Sequence, residues 1–240
     1  MKKLAIMQPY FFPYIGYFQL MNLVDMWIAF DDIQFIDKGW INRNRVLHPD
    51  HAKEWQFITL PLAKKRQFDK ICDISINSKI EWRSQILGKL TSYKKKAPYY
   101  TQTVDFIRDC FDTDETNLSR FVIEVLKKTA HYIGIKTQIE TQTQMNLKLN
   151  EVCHAGQWAL RISEAMNASE YVNPVGGEEI FKSDEFEESN IKLSFLKSKL
   201  KPYSQRRKDF IQGLSIIDVL MFNEVTETYS FLDENNYEIL

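Results

Sequence analysis

Three short stretches concentrate the residue types that do chemistry. In "FDDIQF" two acids, Asp31 and Asp32, follow an apolar run that reads as a strand. Strand side chains alternate, so one of the two should face a cleft beyond the strand end. A carboxylate there can hold a ribose hydroxyl, take a proton from an amine or bind magnesium. It also suits a plain turn cap. In "GWINRNRV" Arg43 and Arg45 stand two apart, so an extended segment places both guanidinium forks on one face, ready to grip a pyrophosphate or carboxylate. Trp40 just before them can stack on a base or sugar, and Asn42 alternates with the arginines. The same charges equally suit a solvated edge strand.

The third stretch, "MQPYFFPYIGYFQL", packs aromatic rings, two prolines and a glycine into the junction after "KLAI". Pro9 and Pro13 fix φ and keep Gln8 and Phe12 out of the helical region, so the turn is stiff. Gly16 lets a backbone or ligand come close to the first helical turn. Tyr10, Tyr14 and Tyr17 offer hydroxyls on flat apolar bodies, while Phe11, Phe12 and Phe18 read as core anchors. Weaker signals lie farther on. Gly176 and Gly177 in "NPVGGEEIF" can offer backbone amides to an anion, or form an ordinary turn. "KPYSQRRKDF" and "SYKKKAPYY" read as solvated basic faces. Asp218 inside the apolar "SIIDVLMF" needs a buried partner. Cys153 and His154 are neighbours on a helical pattern and make no dyad.

These residues need a frame. "KLAIM", "YIGYFQLMNLV" and "MWIAFDDIQF" alternate as strand, helix and strand, the pattern of a parallel βαβ unit. "WQFITLPL" and "KICDISI" read as further strands. "SKIEWRSQILGKLTSYKKKA", "TVDFIRDCF" and "TNLSRFVIEVLKKTAHYIG" read as helices, the first capped by Asn77 or Ser78 and stopped by Pro98, the last ended by Gly134. "TQIETQT", "SEYVNP" and "IKLSFL" are strands, "VGGEEIF" a loop, and "KLNEVCHAGQWALRISEAMN" and "FIQGLSIIDVLMF" helices. The expected fold is α/β: an open parallel sheet of Rossmann-like nucleotidyltransferase type with a mainly helical insertion. Residues 1–78 form an N-terminal βαβ nucleotide-binding half, 79–134 a mainly helical segment, and 135–240 an α/β half completing the same domain. Ligands of such sheets bind beyond the carboxyl ends of the strands, where the quoted turn lies.

Bulk properties narrow the classes. The 31 basic and 32 acidic residues leave a net charge of −1, so no global field draws nucleic acid or an anionic membrane. The basic, apolar start is broken by Gln8 and Pro9 before a signal peptide is complete, and no run reaches the roughly 18 apolar residues of a membrane span. Three cysteines without CxxC spacing suit reduced thiols, and the expected location is cytoplasmic. The 4 histidines lack metal-ligand spacing, and no P-loop, Gly-x-Gly-x-x-Gly or Gly-x-Ser-x-Gly is present.

"PYFFPYIGYFQL" followed by "VDMWIAFDDIQF" resembles the layout of nucleotidyltransferases and adenylate-forming ligases with a His-x-Gly-His first turn. "YIGY" stands where that motif would stand. A tyrosine with a pKa of about 10 donates only a neutral hydrogen bond, so the likeness speaks for the fold more than for nucleotidyl transfer. Gln34 matches a position near the substrate pocket of those ligases. A longer resemblance runs through "MQPYFFPYIGYFQL", "DDIQFIDKGWINRNRV", "SYKKKAPYY" and "GLSIIDVLMFN": the chain is similar to the WbqC-like proteins of bacterial surface-polysaccharide gene clusters. Tyr203 and Gln205 fit that pattern.

The resemblance implies a transferase of O-antigen or surface-polysaccharide biosynthesis acting on a nucleotide-linked amino sugar, by acyl or aminoacyl transfer to the sugar amine. Asp31 or Asp32 would take the amine proton, and Tyr14 or Tyr17 would donate to the oxyanion. The alternatives are an ATP-dependent nucleotidyltransferase or ligase and a non-catalytic nucleotide-sugar binding module. The second substrate is an acyl or aminoacyl donor, or ATP with Mg²⁺. A homo-oligomer is compatible with the chain.

Overall fold

A computed structural model describes residues 2–240. The first strand, β1 (Lys3–Met7), leads through the aromatic turn into α1 (Ile15–Leu23) and back to β2 (Met26–Ala29). A hairpin, β3 (Arg43–Leu47) and β4 (Trp55–Thr59), and three helices, α2 (Trp82–Leu90), α3 (Tyr100–Phe111) and α4 (Leu118–Ile133), intervene before β5 (Gln138–Thr141). Then come α5 (Gln142–Met145), α6 (Gln157–Ala165), β6 (Glu170–Pro174), α7 (Ser183–Glu188), β7 (Lys192–Ser198), α8 (Ile216–Phe222), α9 (Val225–Ser230) and β8 (Tyr237–Ile239). The main sheet has the order β5-β2-β1-β6-β7-β8. All of its pairings are parallel except β7 with β8, and the hairpin forms a sheet of its own. This is the open α/β sheet the alternation implies.

Each central strand is apolar because both of its faces are covered. Leu4, Ile6, Met26, Ile28 and Tyr171 point to one face and pack with Leu160 and Ile162 of α6 and Phe186 of α7. Ala5, Trp27, Ala29 and Val172 point to the other and join the larger apolar cluster that also holds residues of α1, α4 and α8. α1 is buried from Ile15 to Met21, which explains its lack of a polar stripe. α4 starts where the Asn117 side chain accepts from the Arg120 amide and ends at Gly134, whose φ of 93° suits glycine.

Several elements differ from expectation. "KICDISI" is not a strand: a single 3-10 turn at Ile71–Asp73 and isolated bridges from Lys70, Ser75 and Ile76 replace it. Its alternating isoleucines are buried, and that burial imitates a strand pattern. β2 stops at Ala29, before the acids. α2 begins at Trp82 without a side-chain cap and ends at Leu90, well before Pro98. "VGGEEIF" winds into a 3-10 turn, Val175–Ile180, and both C-terminal helices are shorter than their patterns. Among the described residues no helix is long and apolar enough to cross a membrane.

Candidate functional site

β1 is the centre of the design. Its chain neighbour β2 pairs on one side, and β6, which the chain reaches only after β3, β4 and β5, pairs on the other. The connection after β1 runs to β2 and the connection after β6 runs the other way to β7, which opens a crevice at the carboxyl ends of β1 and β6. A cleft of about 700 Å³ lies there. Met7 contributes from β1, Asn173 and Pro174 from β6, and Gln8, Tyr10, Pro13, Tyr14 and Tyr17 from the aromatic turn and α1. Trp40, Asn44 and Arg45 close one side. Phe30, Trp158, Gly176, Gly177 and Phe181 close the other, with the Phe30 and Trp158 rings 5.6 Å apart. A smaller hollow of about 270 Å³ by Tyr99 and Tyr132 lies away from the strand ends.

The aromatic turn is bolted in place by distant residues. Phe11 and Phe12 are fully buried, and Phe12 has φ 43°, a left-handed conformation that costs a non-glycine residue about 1–3 kcal/mol. The Asn44 amide donates to the carbonyls of Phe11 at 3.1 Å and Phe12 at 2.9 Å. Ser215 Oγ donates to the Phe12 carbonyl at 2.7 Å, and the Ile216 amide to that of Pro13 at 2.8 Å. Those bonds offset the strain and aim the tyrosines. Tyr17 Oη donates to the Gln8 carbonyl at 2.8 Å, and the Tyr10 ring lies 5.5 Å from that of Tyr17.

Burial raises all three tyrosine pKa values; the charge of Tyr14 adds to this for Tyr10 and that of Tyr10 for Tyr17, while the Ser198 hydroxyl works the other way on Tyr14. All three are neutral donors at neutral pH. Gly16 does not face the cleft. A Cβ there would lie 2.4 Å from both Ser198 Oγ and the Tyr14 ring, so its glycine makes room for Tyr14 and β7 rather than for a ligand.

Arg45 carries the charge. Its guanidinium lies 5.2 Å from the Trp40 ring centroid and 5.3 Å from that of Trp55, held between two indoles. Such stacking fixes a cation without using its N–H donors. Nη2 donates to the Gly213 carbonyl at 3.1 Å, and Nε is buried without a partner. Arg43 shares the β3 face but turns back: Nε donates to Gly39 O at 3.1 Å, Nη2 to Lys38 O, and the group lies 4.2 Å over Phe57. Its forks are committed to the loop before the hairpin.

The acids go elsewhere. Asp31 is 2% exposed and accepts from Ser119 Oγ at 2.8 Å, Thr143 Oγ1 at 2.9 Å and the Thr143 amide at 3.2 Å, tying α4 and α5 to the end of β2. Asp32 pairs with Lys70 at 2.6 Å, and its hydrogen bond raises the Lys70 pKa. Burial, aided by the carboxylates of Asp73, Asp31 and Asp32, lifts the nearby Cys72 thiol to about 11. Gln34 donates to the Gln67 carbonyl at 3.1 Å, and Asn42 to that of Leu60 at 2.9 Å. Pro9 is buried under the turn. Tyr203 and Gln205 donate to Asp218, at 2.6 and 2.8 Å, within a buried knot that Tyr93 completes at 2.6 Å.

Tyr17, Asp32 and Arg43 therefore do not share one crevice. Gln8, Tyr10, Tyr14, Tyr17, Trp40, Arg45, Gly176 and Gly177 meet at one cleft. Asp31, Asp32, Gln34, Asn42, Arg43, Tyr203 and Gln205 lie outside it. Sequence reasoning missed Phe30, Asn44, Trp158, Asn173 and Phe181. The rule that ligands sit over strand ends at a switch point pointed to the turns after β1 and β6. It gave no hint that α6 closes the far wall.

No solved structure matches the chain. An uncharacterized protein of Mycobacterium tuberculosis (strain ATCC 25618 / H37Rv) is 26% identical over 234 residues, covering 97% of this chain and 98% of that one. The model of the WbqC-like protein family matches residues 8–229, a span that holds the cleft lining from Gln8 to Gly213, and the chain belongs to that family.

Proposed function

We propose that the protein is a transferase of surface-polysaccharide biosynthesis that takes a nucleotide-linked amino sugar and joins an acyl or aminoacyl group to the sugar amine. Family membership supports the setting. The observation that carries the substrate is the cleft itself: about 700 Å³, walled by aromatic rings, with Arg45 the one Lys or Arg among its lining residues and held between two indoles. Pockets of this size take small organic ligands, and rings with a few placed polar groups suit a sugar joined to a phosphate. Arg45 grips the diphosphate, and the amide of Gln8 reaches a sugar hydroxyl.

In the transfer the amine nitrogen attacks the donor's acyl carbon. A C–N bond forms, the bond to the leaving group breaks, and the amine proton departs with that group. The Tyr10 hydroxyl donates to the developing oxyanion. The test is incubation with nucleotide-linked amino sugars and activated donors, read by mass spectrometry for the acylated sugar. Arg45→Ala should lose both binding and product, whereas Tyr10→Phe should keep binding and lose turnover. Pyrophosphate released from ATP and Mg²⁺ would favour the ligase reading instead.

A second reading has its own support. No carboxylate, imidazole or thiol is among the lining residues, as a non-catalytic binding module would have it. Tight binding without product from any donor class favours the module.

A further inference from the structure

On the other side of Arg45 lies a second hollow of about 650 Å³. Arg45 lines both cavities. Its bond to the Gly213 carbonyl completes the partition, because Gly213 faces the cleft while Gln212 and Ile211 face the hollow. Of the two indoles that hold its guanidinium, Trp40 belongs to the cleft and Trp55 to the hollow. One side chain and one stretch of backbone separate the two spaces.

Their chemistry differs. Besides Arg45, the hollow offers Trp55, Lys208, Arg207, Glu54 and Asp209. Arg207 is committed to the carbonyls of His48, Asp50, Lys53 and Glu54, so it supplies charge but few free donors. Neither Arg45 nor Lys208 has a carboxylate within ion-pair distance among the described residues, and Glu54 and Asp209 have no cation. An indole for a base, carboxylates to accept from ribose hydroxyls, and an Arg and a Lys without a carboxylate partner for phosphates make up the recognition set of a nucleoside diphosphate.

We infer that a nucleotide-linked sugar spans both cavities, its nucleoside diphosphate in the polar hollow, its sugar in the aromatic cleft, and Arg45 at the pyrophosphate between them. This rests on the substrate class proposed above and adds which part lies where. The reverse orientation would put the ribose where no carboxylate lines the wall and the apolar sugar faces among charges. Arg45 Nη2 then exchanges the neutral Gly213 carbonyl for a charged phosphate oxygen, the stronger acceptor. The sugar amine is left under the tyrosines at the strand ends.

The test is calorimetry on the full chain with uridine and guanosine diphosphates, which carry no sugar, and with their sugar conjugates. Lys208 is exposed, so Lys208→Glu keeps the fold. It should weaken the sugar-free diphosphates by about tenfold or more, equivalent to about 1.4 kcal/mol. Trp158→Leu should leave them unchanged and weaken only the conjugates. The inference is overturned if Trp158→Leu weakens the free diphosphates while Lys208→Glu does not, a result that keeps the substrate class and reverses its orientation. It is also overturned if neither diphosphate binds the unmodified protein. Binding of free diphosphates that depends on Lys208, with no binding of any sugar conjugate, would leave the nucleotide site standing and remove the proposed substrate.

Discussion

Tyr93 and Tyr203 turn their hydroxyls onto one buried carboxylate, whereas Tyr10, Tyr14 and Tyr17 line the wall of an open cleft. Both groups are aromatic, partly or fully buried and pushed toward higher pKa by that burial. They differ in what remains unsatisfied. Around Asp218 the carboxylate accepts two tyrosines and Gln205, and Tyr93 Oη also accepts the Leu47 amide at 2.7 Å, so the knot joins α8 to β3 and has nothing left to offer. Around the cleft Tyr17 is tied through the Gln8 carbonyl and Tyr14 meets the Ser198 hydroxyl, while the Tyr10 hydroxyl has no hydrogen-bond partner among the described residues. Closed polar networks hold elements together, and open ones recognise ligands.

The largest effect should come from breaking the closed side. Asp218→Ala leaves the Tyr93 and Tyr203 hydroxyls without their acceptor and Gln205 with the Ile211 carbonyl alone, and should cost on the order of 3 kcal/mol or more in urea unfolding. Burial, as the leading cause, holds the Asp218 carboxyl above its ordinary range against its three donors. The folded chain therefore binds that proton more tightly than the unfolded chain does. The associated stability is complete below the ordinary carboxylate pKa and is lost as pH rises through the native value. Relative to Asp218→Asn, the unmodified protein should thus lose stability as pH climbs above about 4.

Next in size, Arg45→Ala should cost roughly 1.5–3 kcal/mol of affinity for a nucleotide-linked sugar, read by calorimetry. Gly16→Ala drives a methyl group into Ser198 and Tyr14 and should cost about 1–3 kcal/mol of stability, the tenor of overpacking. Tyr17→Phe removes one hydrogen bond and about 1 kcal/mol of stability while leaving ligand affinity nearly intact. Smallest of all, Asp32→Asn breaks a half-exposed pair with Lys70, should move stability by under about 1 kcal/mol, and should not change affinity. A large loss of affinity in Asp32→Asn would instead extend the open side to the acid pair.

The same contrast explains what was legible in advance. "KLAIM", "SEYVNP" and "IKLSFL" declare buried strands through local pattern alone, and the stiff turn after β1 announces itself through Pro9, Pro13 and its rings. Asp218 was recognisably a residue in need of partners, yet nothing local said that they are Tyr93 and Tyr203. Asp31 misled for the same reason: a carboxylate at a strand end looks free until Ser119 and Thr143 arrive from 88 and 112 positions away. Arg43 and Arg45 were correctly placed on one face, but side-chain direction separates them, and that depends on the carbonyls of Lys38 and Gly39 for one and on two indoles for the other. Pattern reveals the element; satisfaction of polar groups decides the role, and satisfaction is mostly long-range.

The bolts on the Phe12 bend have a consequence for synthesis. They come from Asn44 and from Ser215, and the partition residue Gly213 is almost as late. A growing chain on the ribosome can pair β1 with β2 early, but the bend and the cleft wall are not complete until Ser215 has emerged. A product truncated before residue 213 should therefore lack the proposed binding however well its first half folds.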